Sequence, residues 1–357
     1  MSLKNLITKE ILKSGPITIA QFMEYCLYHE NYGYYASKKN TIGADGDFIT
    51  SPEISQVFGE LIGIWLAQTW IDRGKPKNFS LVELGPGNGI MMRDILHAIK
   101  KIPGCLDAAS IVLVEKSQIL RSRQKNLLIH YSPSWIESVD DIPEKPFFLV
   151  ANEFLDALPI RQFKKENDFW YERSVGLTDT GELKFINIPS NLNIELNYLY
   201  RHIPNNVIAE TSDITKNILS RIFEKIARNS GVCLFIDYGY LEGQGETLQA
   251  VHKHSYANPL DNLGESDLTA QVNFKNIYNL ILRKGLRASN FENQRNFLTG
   301  LGIKNRSEIL TKNMSKVQKK DHLKVIDRFI GPNQMGNLFK VMGVTNRGSP
   351  KLPILEQ

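Results

Sequence analysis

The 357-residue sequence predicts an α/β fold built on a mostly parallel sheet, and three observations predict it. Between residues 80 and 152, short apolar runs alternate with amphipathic helical stretches, the pattern of βαβ units whose sheet is covered on both faces. The first of these runs ends in a glycine-rich turn, LVELGPGNG at 81–89, that opens directly into a helix. The composition, 42% hydrophobic and 23% charged, is that of a chain able to bury a sizeable core without disulfides or structural metals.

From the amino terminus, Leu3, Leu6, Ile7 and Ile11 share one face of a helix that Gly15 and Pro16 stop. Thr18 can cap a second helix through Phe22, Tyr25 and Leu27. Residues 31–52, NYGYYASKKNTIGADGDFITSP, have no periodicity and read as a long functional loop, with too many aromatics for disorder. A helix of about five turns follows, with Ile54, Val57, Phe58, Leu61, Ile64, Trp65 and Ala67 at its apolar positions. That apolar content could mark the surface of a homodimer, core packing being the default.

The alternating region then reads as strand SLVELG (80–85), helix 90–102, strand IVLVE (111–115), a helix near Gln118 to Asn126, strand LLIHY (127–131) and strand PFFLVAN (146–152). Residues 160–200 break the rhythm. RQFKKENDFWYERSVGL and ELKFINI look like antiparallel strands joined by a turn at Asp179, Thr180 and Gly181, an insertion in the parallel core. A helix around 212–228, a strand at 231–240, an irregular polar segment at 241–272, further helices and a late strand at 337–345 complete the chain.

Net charge is +5, but Lys and Arg are spread along the chain. The densest basic stretch, Lys316 to Lys324, is interrupted by Asp321 and reads as a solvated helix face. With no basic run interleaved with stacking aromatics, nucleic acid is not an expected partner. Cys26, Cys105 and Cys233 are odd in number and not in metal-ligand spacing, so no metal site is expected. Cys233 lies in an apolar run and reads as a buried thiol, and the pattern fits a reducing compartment. No window reaches the roughly 18 consecutive apolar residues of a membrane span. The first fifteen residues lack a continuous apolar core and contain Glu10, which argues against a signal peptide. The expected location is bacterial cytoplasm, or the mitochondrial matrix for a eukaryotic chain.

Chemistry concentrates at three strand ends. In the first, Gly85, Gly87 and Gly89 let the backbone turn sharply and approach a ligand after a buried strand. A dinucleotide fingerprint needs its third glycine one residue later, where Ile90 stands. Glu83 also sets a carboxylate beside the loop, which suits a cationic ligand better than a pyrophosphate. S-adenosylmethionine (SAM), with a sulfonium and an ammonium and no phosphate, fits that description; a nucleotide site and a plain structural turn are the alternatives. Glu115 ends the next strand, where a carboxylate can accept from both ribose hydroxyls; a solvated strand-end glutamate is the alternative. The third end carries Asn152, Glu153 and Asp156. An acidic group there could hold a guanidinium as a bidentate fork in line with a transferable methyl group. Glu153 and Asp156 could instead, or in addition, cap a following helix.

Several segments together resemble the MidA-like methyltransferase family. They are YGYY (32–35), GDFITSPEISQ (46–56), FGE (58–60), LVELGPG (81–87), VANEFLDALP (150–159), FIDYGY (235–240), TLQA (247–250), DLTA (267–270) and MGNLFK (335–340). They span nearly the whole chain in the expected order. The resemblance implies a Rossmann-like class I methyltransferase with a seven-stranded, mostly parallel sheet. N-terminal helices and a cofactor-covering loop would occupy 1–75. The core would occupy 76–357, with substrate-side insertions at about 160–207 and 241–300. It implies SAM as cofactor and the ω-nitrogen of a protein arginine as acceptor, since the family includes the mitochondrial arginine methyltransferase that assists respiratory complex I assembly. A complex I subunit is thus the suspected protein partner. The Asp45–Glu53 loop would fold over the cofactor, with Asp47, Phe48, Thr50 and Glu53 lining the pocket and Asn152 beside it. Asp47 or Glu53 could join Glu153 and Asp156 on the guanidinium, although Glu53 could equally sit against a helix N-terminus. One departure is Gln271 and Asn273, where the family pattern leads us to expect an ionisable residue followed by an aspartate. His252 and His254, nearby, are expected to serve as surface or hydrogen-bonding groups. A small-molecule methyltransferase and a non-catalytic SAM-binding assembly factor are the competing readings.

Overall fold

The computed structural model describes residues 2–36, 50–200, 202–241 and 245–356. The chain forms two compact units. The larger comprises Ile49–Leu155, Ile218–Gly239 and Phe274–Gln357, the smaller Met1–Phe48, Asp156–Asn217 and Tyr240–Asn273.

The larger unit is built on β1 (Phe79–Leu84), β2 (Ala109–Val114), β3 (Ser134–Ile136), β4 (Phe147–Asn152), β5 (Val232–Tyr240), β6 (Arg287–Ala288) and β7 (Phe339–Thr345). Their spatial order is β6-β7-β5-β4-β1-β2-β3. β7 is antiparallel to β5 and β6, whereas β5-β4, β4-β1, β1-β2 and β2-β3 are parallel. This is the expected seven-stranded, mostly parallel Rossmann-like sheet, with a further two-residue strand, Glu292–Asn293, on β7. Both β1 and β4 are buried along their whole length, as a parallel sheet covered on two faces requires. Chain order reverses between β1 and β4, the switch point beyond whose strand ends such folds bind ligands.

Helix α1 (Gln56–Asp72) packs on α2 (Ile90–Ile99), and α3 (Gln118–Leu127) follows β2. Of the apolar residues of α1, only Ile64 is exposed, so the helix faces its own core and lends no surface to the dimer reading. Its close approach to α2 depends on Gly63. A Cβ there would lie 2.7 Å from Ala98 Cβ and 2.9 Å from the Ile95 carbonyl oxygen. Gly63→Ala is therefore expected to destabilise the protein by about 2 kcal/mol. An unchanged urea midpoint would show that the two helices can separate freely.

LLIHY is not a strand. Leu128 N–H donates to the Gln124 carbonyl and Tyr131 N–H to that of Leu128, both at 2.9 Å, so the run ends α3 and turns into a 3-10 segment, Ile129–Tyr131. The strand comes after it, at SWI (134–136). A buried Leu128 beside an exposed Ile129 and His130 gives no period-two face.

In the smaller unit the N-terminal helices are Leu3–Ser14 and Ile19–Tyr28, the second opened by a capping box between Thr18 and Gln21. The insertion is the expected antiparallel sheet. Arg161–Glu166, Phe169–Leu177 and Leu183–Pro189 pair in sequence, with Ile208–Thr211 and Ile17–Thr18 at its flanks. The segment expected to be irregular holds three short antiparallel strands, Gln249–His252, Ser255–Ala257 and Asp267–Thr269. Buried Glu210 ties this unit together, accepting from Gln162 Nε2 at 2.7 Å, Thr247 N–H at 2.8 Å and Thr247 Oγ1 at 2.7 Å. Among the described residues no helix is long and apolar enough to cross a membrane.

Candidate active site

The site grows from the carboxyl ends of β1, β2 and β4. After β1, Gly85, Gly87 and Gly89 all have positive φ, at 58°, 53° and 85°. Gly85 is doubly constrained, because a Cβ there would also meet Phe154 Cδ2 at 2.8 Å. Gly89 caps α2 in a left-handed conformation with no side-chain cap bond.

Glu83 lies under this loop and is 2% exposed. Burial, and then the charge of Glu115, push its carboxyl up to about 8, against one favourable hydrogen bond from the Met92 N–H. Its Oε2 is buried without a hydrogen-bond partner among the described residues, and so is Asn152 Oδ1 at the end of β4. Two buried acceptors lacking donors are costly alone and suit a ligand rich in donors. Glu115 is held by the Ser117 N–H at 2.8 Å on Oε1 and by Gln124 Nε2 at 3.4 Å on Oε2. Burial raises its carboxyl, opposed by these hydrogen bonds and by Arg121.

Gln124 was not legible as a site residue. Fully buried, it donates to the Gly87 carbonyl at 2.8 Å and accepts from Trp135 Nε1 at 2.8 Å, tying loop, Glu115 and β3 together. A signal existed: Leu120, Gln124 and Leu128 are four apart, so an amide stands on the apolar stripe of α3.

Beyond β4, no helix follows Asn152, and the chain turns into the strand Arg161–Glu166. Glu153 and Asp156 therefore do not cap a following helix. Glu153 instead has a left-handed backbone (φ 49°), a strained state for a side-chain-bearing residue. Its N–H donates to the Ile236 carbonyl at 3.0 Å, and Asp237 Oδ2 accepts the Leu155 N–H at 3.0 Å. Glu153 Oε1 accepts from the Ser51 N–H at 2.8 Å and from Asn152 Nδ2 at 3.0 Å. Burial raises its carboxyl despite these bonds and the Arg328 charge. Glu153 thus grips the start of the short helix Ser51–Ile54, where Thr50 is the N-cap without a side-chain cap bond. Glu53 lies in that helix, and its Oε1 accepts from Asn88 Nδ2 of the glycine loop at 2.8 Å. Glu83, Gly85, Gly87, Gly89, Glu115, Asn152, Glu153 and Thr50 all belong to the larger unit. Asp47 and Phe48 lie outside the described residues.

Asp156 belongs to the smaller unit and is buried. Its carbonyl accepts the Ala270 N–H at 3.0 Å. Tyr35 is pushed well up, by burial first and then by Asp267, Tyr28 and Asp156. Gln271 N–H donates to Thr247 Oγ1 at 2.9 Å, and the Asn273 side chain is hydrogen-bonded to the Tyr240 phenol. Asn273 is thus accommodated as a polar structural contact, whereas the bond at Gln271 is made by the backbone. His252 Nδ1 lies 3.1 Å from the Glu265 carbonyl oxygen, and His254 is exposed in a hairpin turn, the surface and hydrogen-bonding roles expected of them.

The chain is 32% identical to the mitochondrial protein arginine methyltransferase NDUFAF7 of Danio rerio, over 96% of this chain and 86% of that one. It is 36% identical to the corresponding homolog of Caenorhabditis elegans, over 85% and 77%. A crystal structure from Burkholderia thailandensis bound to S-adenosyl-homocysteine superposes with a TM-score of 0.84 at 25% identity, covering 99% of this chain and 93% of that one. The profile of the S-adenosyl-L-methionine-dependent methyltransferase family matches residues 61–292. Together with the glycine loop between β1 and α2, these similarities establish that the chain belongs to the S-adenosyl-L-methionine-dependent methyltransferases.

Proposed function

We infer that this SAM-dependent methyltransferase acts on the ω-nitrogen of an arginine in a protein substrate. The observation that carries the reading is Glu153, a carboxylate held in a strained conformation at the end of β4, beside the glycine loop. The name shared by the curated relatives, protein arginine methyltransferase, supports it. Glu83, Gly85, Gly87, Gly89, Glu115 and Asn152 form the cofactor cradle in this reading. Glu83 Oε2 and Asn152 Oδ1 take donors from the ligand, and Glu115 takes the ribose hydroxyls. Thr50 lies at its cover. When bound, SAM supplies a methyl group on a sulfonium, ready for direct displacement. Glu153 then orients the guanidinium and balances its charge, so catalysis rests on positioning and electrostatics.

The proposed acceptor is a respiratory complex I subunit, and the proposed compartment is the bacterial cytoplasm or, in a eukaryote, the mitochondrial matrix. The mitochondrial relatives and three buried free thiols support the compartment, and the acceptor rests on the family resemblance. The test is methyl-labelled SAM with cell extract, followed by acid hydrolysis and amino-acid analysis. Label is expected in methylarginine; label in another residue or only in small molecules would refute the reading. Glu153→Gln should keep SAM affinity while lowering methyl transfer by about 100-fold, and an equal loss of both would make it a purely structural residue.

A further inference from the structure

Helix Lys316–Ile330, in the larger unit, carries a basic face that the methyl-transfer site does not use. Lys316, Lys319, Lys320, Lys324 and Arg328 recur at three- and four-residue spacing along one stripe. They line a cleft of about 820 Å³ that holds a single carboxylate, Asp327. All five cations are exposed. Lys324 pairs with Asp321 at 2.9 Å, and the other four make no ion pair among the described residues.

A solvated face would need no such order, and this one works against its own helix. Lys316 and Lys319 stand at the N-terminal end, where no acidic residue balances the macrodipole. The opposite face is anchored. Phe329 stacks on Phe58 at 5.8 Å, Gln294 Nε2 donates to the Phe329 carbonyl at 3.0 Å, and His322 meets Ser307 Oγ at 3.1 Å. The stripe is thus a rigid rail. Its last member, Arg328, exerts a favourable charge on Glu153 that ranks behind burial and the hydrogen bonds from Ser51 and Asn152. From Lys316 to Arg328 it measures about 18 Å at the helical rise, the span of about five or six residues of extended peptide. Leu323, half exposed within the cleft, offers a contact for an apolar side chain. Among the described residues no aromatic lines it, so nucleic-acid bases would find nothing there to stack on.

We propose that this cleft docks an acidic segment of about five or six residues of the methyl-acceptor protein, lying to one side of the target arginine. The proposal rests on the protein-arginine reading. The probe is a fluorescent peptide with one arginine followed by alternating aspartate and leucine. It is titrated by anisotropy into the full chain beside its asparagine counterpart and an RNA oligonucleotide. The acidic peptide should bind at least about tenfold more tightly than the neutral one and weaken as salt rises from about 50 to about 300 mM. Lys319→Glu with Lys320→Glu should cost a further tenfold or so, while SAM affinity stays and the melting temperature holds or rises. Equal binding of both peptides, indifference to the charge reversal, or RNA outcompeting the acidic peptide would each overturn the proposal. Replacing the probe's arginine with lysine separates the two readings. Docking survives that change whether or not the arginine is a methyl acceptor, whereas methylarginine formed equally by the double variant would sink docking and spare the acceptor.

Discussion

Glu83→Gln is expected to stabilise the cofactor-free protein and to remove its affinity for SAM. The two effects share one cause. Burial raises the Glu83 carboxyl from 4.5 to about 8, so the folded state disfavours its charged form. A group raised on folding contributes stability that is full below its unfolded value and is lost as pH climbs to its folded one. The wild-type protein should therefore lose stability between pH 4.5 and about 8, by on the order of 3 kcal/mol at neutral pH. The glutamine variant lacks that slope and should be more stable at pH 8 by about 2 kcal/mol. A cationic ligand reverses the balance, because it favours the carboxylate and draws the proton off as it binds. Wild-type affinity should thus rise with pH towards 8, while the variant loses about 100-fold and shows no such slope. Thermal melts across pH with and without SAM check both halves. A variant that is less stable without the cofactor, or that binds SAM as well as the wild type, would remove Glu83 from the site.

Gly85→Ala carries the second large effect. At φ 58° a methyl group is strained, and in this position it would also meet Phe154 Cδ2 at 2.8 Å. The backbone on either side of Phe154 is held by the Ile236 carbonyl and by Asp237, so relief requires the partly buried ring itself to turn. The expected cost is about 3 kcal/mol of stability, with SAM affinity reduced because the turn it distorts is the cradle. Gly74→Ala, also at positive φ but with open space around its Cβ, should cost no more than about 1 kcal/mol. Denaturant unfolding of the two variants separates strain from clash. Equal losses would mean that the Phe154 contact contributes nothing.

What the sequence disclosed and what it hid follow from the range of the interactions. β1, β2 and β4 were legible because each is a buried apolar run closed by a polar residue, and Glu83, Glu115 and Asn152 mark those ends. The helix cap at Thr18 and the turn at Asp179, Thr180 and Gly181 are local chemistry and were equally readable. LLIHY misled because so short a run has no period of its own, and hydrogen bonds from Leu128 to Gln124 and from Tyr131 to Leu128 decided it. The role of Glu153 depended on a partner 102 residues away, the Ser51 N–H, and no spacing rule announces such a bond. Gln124 lay between these cases, since its place on an apolar stripe is visible while the Gly87 carbonyl and Trp135 that it satisfies are not.

The central claim is that the carboxylate-lined glycine loop binds a cationic, phosphate-free cofactor. Calorimetric titration of the purified protein at pH 7 with SAM, in two buffers of different ionisation enthalpy and beside NAD, tests it most directly. The account predicts micromolar SAM binding, about −8 kcal/mol, with net proton release from Glu83 and no binding of NAD. A preference for NAD, or SAM binding with no proton released and no dependence on Glu83, would contradict it.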